Sequence, residues 1–378
     1  MLQRIVQDQI QKVLFTGKIV MLIGARQVGK TTLALNLIKD FKNIEQTLKL
    51  SGDDPSDAAR LSDQPLSYYK LLFENYKLIL IDEAQKINNI GQTLKLLIDF
   101  YKDTKQFIVT GSSGFNLIND VPEPLTGRKR VFYLYPFSAT ELVPNLDQYK
   151  LESMFESILV YGSYPEIVRE NDIKLKITAL AEICSSYLYK DILEFQNLRS
   201  PNQLTSLLQH LAHQIGSEIS YHEIGQKLGL DSRTVERYID LLEKSFIIFR
   251  LPSFSSNKRK ELSKSKKIYF YDLGIRNYLI NEFKSLKERI DIGQIWENFV
   301  ILERLKHRQY NQILAGQYYW KTYTGVEIDL VEEIGDQLHG YELKWNPKKT
   351  SKVPASWAAY PNSTFKIINP SNITDLWR

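Results

Sequence analysis

The sequence has a single cysteine, Cys184, and only five histidines among its 378 residues. One thiol excludes an internal disulfide and any cysteine-built zinc site. His210 and His213 lie one helical turn apart, a spacing that a polar helix face explains more simply than a metal site does. No stretch approaches the ~20 consecutive apolar residues that a membrane span needs. The opening segment, MLQRIVQDQIQKVLFTGK, has neither a long apolar run nor a small-residue cleavage site. No membrane partner is therefore expected, and the chain is expected to be cytosolic. A strong charge excess is missing too. The 49 basic and 44 acidic side chains leave +5, too mild to identify a nucleic-acid binder by itself. The length exceeds what one core usually fills, so two or three domains are expected.

What is present is patterned. Residues 2–14 predict a short amphipathic helix. KIVMLIG (18–24), KLILIDE (77–83) and KQFIVTGS (105–112) are continuous apolar runs of strand length, and IEQTLKL (44–50) and KRVFYLY (129–135) are further strands. Helices are expected at about 30–40 and 89–101. Apolar strands alternating with helices predict a parallel sheet covered on both faces. Pro136 and the run 144–148 mark the end of this part, and the expected domains are 1–145, 146–284 and 285–378.

The loop between the first strand and its helix reads G-A-R-Q-V-G-K-T, a match to G-x-x-x-x-G-K-[ST]. Its glycines let successive N–H groups of Gly24, Ala25, Arg26, Gln27, Val28, Gly29, Lys30, Thr31 and Thr32 turn toward an anion, and the helix that follows aims its positive end at the same place. Lys30 would reach the β- and γ-phosphates of ATP, and Thr31 would offer its hydroxyl to Mg²⁺. In LILIDEA, Asp82 emerges at the carboxyl end of a buried strand, where it would hold Mg²⁺, and Glu83 is placed to polarise an attacking water. The strand FIVTGSS turns polar at Thr110, Ser112 and Ser113. Ser112 is a candidate for the γ-phosphate or the water, against the alternative of a simple serine cap. Arg128, in LTGRKR, fits either an arginine finger acting on a neighbouring subunit, which would require self-association, or a solvated charge cluster.

GARQVGKTT, LILIDEAQ, FIVTGSS, LTGR with Y-P-F-S, GSYPEIV, KIYFYDLGIRNYL, IWENFV, EIDLV and YELKW together resemble a bacterial and archaeal family of AAA-type ATPases with a C-terminal domain of unknown function. The resemblance spans nearly the whole chain. It implies an α/β fold: an AAA-type P-loop NTPase sheet, then a helical and winged-helix domain, then a small α/β domain similar to PD-(D/E)XK, restriction-endonuclease-like proteins.

ISYHEIGQKLGLDSRTVERYIDLLEKSFIIFRL (219–251) has the layout of a helix-turn-helix running into a strand. Arg233 and Arg237 lie four residues apart on the side of the second helix away from its apolar positions. The loop 255–267 that follows carries six cations and one acid, among them Lys258, Arg259, Lys260, Lys264, Lys266 and Lys267. DNA is the candidate partner, with Arg233 and Arg237 in a groove and the loop on the backbone; a protein–protein joint is the alternative. Further on, Glu327 and Asp329 share one strand face, and Glu342 and Lys344 share another. With Glu297 from the preceding helix, Asp329, Glu342 and Lys344 make a candidate metal-dependent nuclease site; half-buried strands with alternating charges produce the same pattern without one.

Overall fold

The computed structural model describes the chain except residues 1, 42–43, 112–124, 144, 146, 186–200, 256–264 and 378. It divides into two compact units: residues 1–135 with 244–246, and residues 136–243 with 247–378.

The first unit is built on five parallel strands, β1 (Ile19–Gly24), β2 (Thr47–Ser51), β3 (Leu78–Asp82), β4 (Gln106–Gly111) and β5 (Lys129–Leu134), in the order β2-β3-β4-β1-β5. All of β1 and β4 is buried, as is β3 up to Ile81. This explains their continuous apolar sequences, because a central parallel strand is covered on both faces. Helix Ile90–Tyr101 buries Ile90, Leu94, Leu97, Ile98 and Tyr101 along one stripe, the 3.6-residue period of an amphipathic helix. Two helices escaped the sequence reading, Pro55–Leu61 and Leu66–Leu72. The first is capped by Asp54, whose carboxylate accepts from the Ser56 N–H at 2.7 Å. The order of strands brings the carboxyl ends of β1, β3 and β4 together, which is where open α/β sheets bind ligands.

In the second unit, helices Gln148–Tyr161, Ile173–Ser185 and Leu273–Leu279 pack together. Buried Asn277 donates to the last carbonyls of the first of these, Leu159 and Val160, at 2.9 Å each. Helices Tyr221–Leu228 and Ser232–Lys244 follow the expected layout. Asp231 caps the second, accepting from the Thr234 N–H at 2.9 Å. Val235, Tyr238, Ile239, Leu241 and Leu242 are its buried positions. Strands β6 (Ile248–Pro252) and β7 (Lys266–Phe270) pair antiparallel. Arg250 on β6 reaches back to the second helix, bonding Glu243 at 2.7 Å and Asp240 at 2.7 Å.

A mixed sheet in the order β11-β10-β9-β8 closes the chain. It comprises β8 (Gly316–Lys321), β9 (Glu327–Ile334), β10 (Gln337–Leu343) and β11 (Ser363–Ile368), the last of which the sequence reading missed. Phe254, Trp320, Ile328, Val331, Leu338 and Trp357 form its core. Helix Ile292–Asn311 uses buried Asn298 to bond both the N–H and the carbonyl of Phe270 at the end of β7, at 2.7 and 3.0 Å. Among the described residues no helix is long and apolar enough to cross a membrane.

Candidate functional site

β1 ends at Gly24, where any side chain would collide with the Leu134 carbonyl, whose oxygen would lie 2.0 Å from an added Cβ. The chain then curls through Gln27 (φ +58°) and Gly29 (φ +95°) into helix Lys30–Lys39. Left-handed backbone at two positions turns the loop into a concavity of amides at a helix N-terminus, an anion cradle. Lys30 is buried and donates to the carbonyls of Gly24 at 3.0 Å and Ala25 at 2.6 Å. Its ammonium therefore lies folded over the loop that a phosphate would share with it. Thr31 and Thr32 are exposed at the helix start.

Opposite, the Thr31 hydroxyl donates to Asp82, 2.9 Å from Oδ2 and 3.2 Å from Oδ1. Asp82 also accepts from the Thr110 hydroxyl of β4. Thr110 Oγ1 in turn accepts from the Glu83 N–H at 3.2 Å. Glu83 stands at φ +49°, a left-handed conformation that costs a non-glycine residue about 1–3 kcal/mol and recurs at functional sites. Its carboxylate accepts from Gln85 Nε2 at 2.5 Å. A hydroxyl and a carboxylate already in contact are hard oxygen donors that fit Mg²⁺. Ser112 lies outside the described residues. Arg128 is held bidentately by Asp99, Nε to Oδ1 at 2.5 Å and Nη2 to Oδ2 at 3.1 Å, and its hydrogen bonds, aided by its charge, keep the Asp99 carboxyl below its ordinary range. Within this chain, then, Arg128 is engaged by its own neighbour.

Arg4 was not anticipated. Its buried guanidinium donates to the Tyr135 carbonyl at 3.1 Å and to the carbonyl of Val28 inside the loop. Arg4 precedes the loop by about twenty residues, with no motif to advertise it.

In the second unit, Arg233 and Arg237 are exposed on the helix Ser232–Lys244, as expected. Lys258, Arg259, Lys260 and Lys264 lie outside the described residues. Lys267 departs from its assignment to a basic loop lying on the DNA backbone. It is 4% exposed at the start of β7, 3.1 Å from Glu297 and ion-paired with Glu327. Burial alone would lower its pKa, but the two carboxylates override it and hold the ammonium above its usual value. Tyr269, on the same face of β7, donates to Glu297 at 2.6 Å.

β9 and β10 run antiparallel with Leu330 opposite Tyr341, a register whose next step sets Asp329 opposite Glu342. Asp329 accepts from the Leu343 N–H at 2.8 Å, and Lys344 lies 2.5 Å from Glu342. Burial, then the negative charges of Glu297 and Glu342, push Asp329 up to about 8. The strands thus bring Glu297, Asp329, Glu342 and Lys344 into one electrostatic cluster. Two cations belong to the cluster: Lys267, paired with Glu297 and Glu327, and Lys344, paired with Glu342. Among the described residues no group of three His, Cys, Asp or Glu side chains is set to hold a metal ion.

Residues 16–143 match the model of a family described as an AAA domain. Residues 152–286 and 292–365 match two families described as domains of unknown function, DUF8612 and DUF4143. Uncharacterized protein Rv2008c of Mycobacterium tuberculosis is 26% identical over 340 residues, covering 89% of this chain and 72% of its own. An uncharacterized protein of Haemophilus influenzae is 25% identical over 370 residues, covering 89% of this chain and 86% of its own. Uncharacterized protein MJ1544 of Methanocaldococcus jannaschii is 24% identical over 325 residues, covering 79% and 69%. Among solved structures, a signal transduction ATPase with numerous domains and a tetratricopeptide repeat sensor, from Pyrococcus horikoshii, aligns with 14% identity and a TM-score of 0.29, over 82% of this chain and 47% of that one. CDC6P from Pyrobaculum aerophilum gives 14% and 0.28, over 73% and 93%. At such scores neither neighbour bears on function. The five-stranded parallel sheet is that of a P-loop NTPase-type α/β fold, and residues 16–143 are similar to the AAA domain family.

Proposed function

We propose that the chain binds and hydrolyses Mg-ATP in its first unit, and that the nucleotide state governs a winged helix and a C-terminal module acting on DNA. The observation that carries the first half is the contact between Thr31 and Asp82, 2.9 Å across the mouth of the loop. Two oxygen donors from distant parts of the sequence meet where the loop's amides converge, as a nucleotide-bound Mg²⁺ requires. In this reading the amides of residues 24–32 hold the phosphates and Lys30 neutralises the β- and γ-groups. Thr31 and Asp82 hold the metal, which screens phosphate charge when bound. Glu83 takes the proton of the attacking water. Ser112 would contact the γ-phosphate, and Arg128 would serve a neighbouring copy only after leaving Asp99.

The second half is supported by the helix pair 221–228 and 232–244, the β6–β7 hairpin behind it, and the two exposed arginines on its second helix. We read the chain as three parts, 1–145, 146–284 and 285–378, the last a nuclease-like domain. Lys267, which reaches from the second part to Glu297 and Glu327 of the third, favours holding DNA over metal-dependent cutting. The register that faces Asp329 with Glu342 beside Lys344 favours the rival, a nuclease gated by ATP. One experiment addresses the main reading: ATP turnover of the purified protein with and without duplex DNA. Turnover that DNA changes severalfold supports coupling, and turnover indifferent to DNA over a range of salt refutes it. Incubating supercoiled DNA with Mn²⁺ should leave it intact; cleavage that Lys344→Ala abolishes would establish the rival.

A further inference from the structure

Arg4 bonds one carbonyl inside the phosphate loop and one just past the end of β5. Val28 and Tyr135 are both buried, and Tyr135 is anchored by its ring, stacked on Tyr133 at 6.4 Å and packed against Phe246 at 6.3 Å. The guanidinium is thus a strut between this buried, ring-packed residue and the loop. Its fork supplies several donors in one plane, which suits two carbonyls at once, and a lysine could not reproduce it.

The consequence follows from peptide geometry. A trans peptide is planar, so its N–H points opposite to its C=O. Arg4 holds the Val28 carbonyl, and the N–H of Gly29 in the same peptide is therefore directed away from Arg4. That peptide plane turns about the ψ of Val28 and the φ of Gly29, and Gly29, at φ +95°, has no side chain to limit it, so without a restraint the plane has other orientations open to it. A Cβ at Gly29 would come 3.9 Å from Arg4 Nη2, which places the guanidinium directly against this turn.

We propose that Arg4 is a positioning residue for nucleotide binding: it presets the Val28–Gly29 peptide so that the loop meets the phosphates already formed. Arg4 touches no reacting atom. Without it the binding-competent loop is one state among several, and the apparent dissociation constant rises in inverse proportion to that state's population. Once nucleotide is bound, the phosphates themselves hold the loop, so the loss falls on affinity and KM rather than on kcat.

The inference rests on the nucleotide reading, and the test separates the two. The full chain is titrated with a fluorescent ADP analogue in Mg²⁺, as wild type, Arg4→Ala and Arg4→Lys, and turnover is measured on the same samples. A folded wild type without affinity would end the nucleotide reading and this inference together. With wild-type binding in hand, Arg4→Ala is expected to raise the dissociation constant and KM by about tenfold or more, the usual effect of losing a charge-assisted hydrogen bond. kcat should stay within about threefold. Free guanidinium at millimolar concentration should restore part of the affinity, an outcome a merely structural defect would not give. Arg4→Lys, which keeps the cation but not the fork, should fall between the two and decides the matter if the alanine variant does not fold. Affinity equal to wild type in whichever variant folds, or a fall in kcat with affinity unchanged, overturns the proposal.

Discussion

Replacing Lys267 with methionine tests whether the C-terminal cluster is an ion network completed by the chain itself. The ammonium is 4% exposed, 3.1 Å from Glu297, paired with Glu327, and 5.3 Å from the centroid of the Tyr319 ring. Removing one partner of a buried pair leaves charge uncompensated and typically costs about 3–5 kcal/mol. Two residual contacts moderate that figure. Glu297 keeps the Tyr269 hydroxyl at 2.6 Å, and Glu327 keeps Lys321 at 3.8 Å. The expected loss is therefore about 3 kcal/mol, at the low end. Denaturant unfolding followed by tryptophan emission suits the question, because Trp296, Trp320, Trp345, Trp357 and Trp377 are all the tryptophans of the chain and all lie in this region. In the double variant Lys267→Met with Glu297→Gln, the second change should return part of the loss, since it removes the stranded charge; a coupling of about 1.5 kcal/mol or more is expected. A Lys267→Met protein within about 1 kcal/mol of wild type, or a pair whose effects simply add, would refute the internal counter-ion.

Glu83→Gln should keep nucleotide affinity while lowering kcat about 10²–10⁴-fold, the usual effect of losing a general base; single-turnover kinetics would show it. Asp329 titrates near 8 in the folded chain, above its unfolded value, so its contribution to stability is full in acid and is lost as pH rises toward and through 8. Asp329→Asn should accordingly raise the melting temperature at pH 9 by a few degrees and much less at pH 5, which differential scanning fluorimetry can follow. Arg233→Ala and Arg237→Ala should each lower the salt dependence of DNA binding by about one unit of slope, read by fluorescence anisotropy across a salt series.

Much of the first unit was legible because its physics is local. β1, β3 and β4 are buried on both faces and must be apolar throughout, and the phosphate loop needs glycine and lysine at fixed spacing. Edge and surface elements were harder. β11 alternates half-buried and exposed positions and carries little apolar signal. The helix Pro55–Leu61 had a legible start in Asp54 and Pro55 but is too short for a period to show. The larger omissions were tertiary. Arg4 matters because of two carbonyls that only the folded chain brings to it. Lys267 stands at the end of a basic run and reads as one more cation facing a DNA backbone. The signal that could have distinguished it is strand alternation: Lys267 and Tyr269 share a face of β7, and that face meets Glu297. Arg128 had two readings from sequence, and its bidentate contact with Asp99 was visible in neither.

The most direct test of the nucleotide site is calorimetric titration of Mg-ATP into the wild-type protein and into Lys30→Ala, with phosphate release measured on both. Saturable binding and steady release are expected from the wild type, with release from Lys30→Ala lower by at least about a hundredfold, in keeping with the loss of a group that stabilises transferring charge. A folded wild type with no affinity for Mg-ATP, or a Lys30→Ala protein with undiminished turnover, would contradict it.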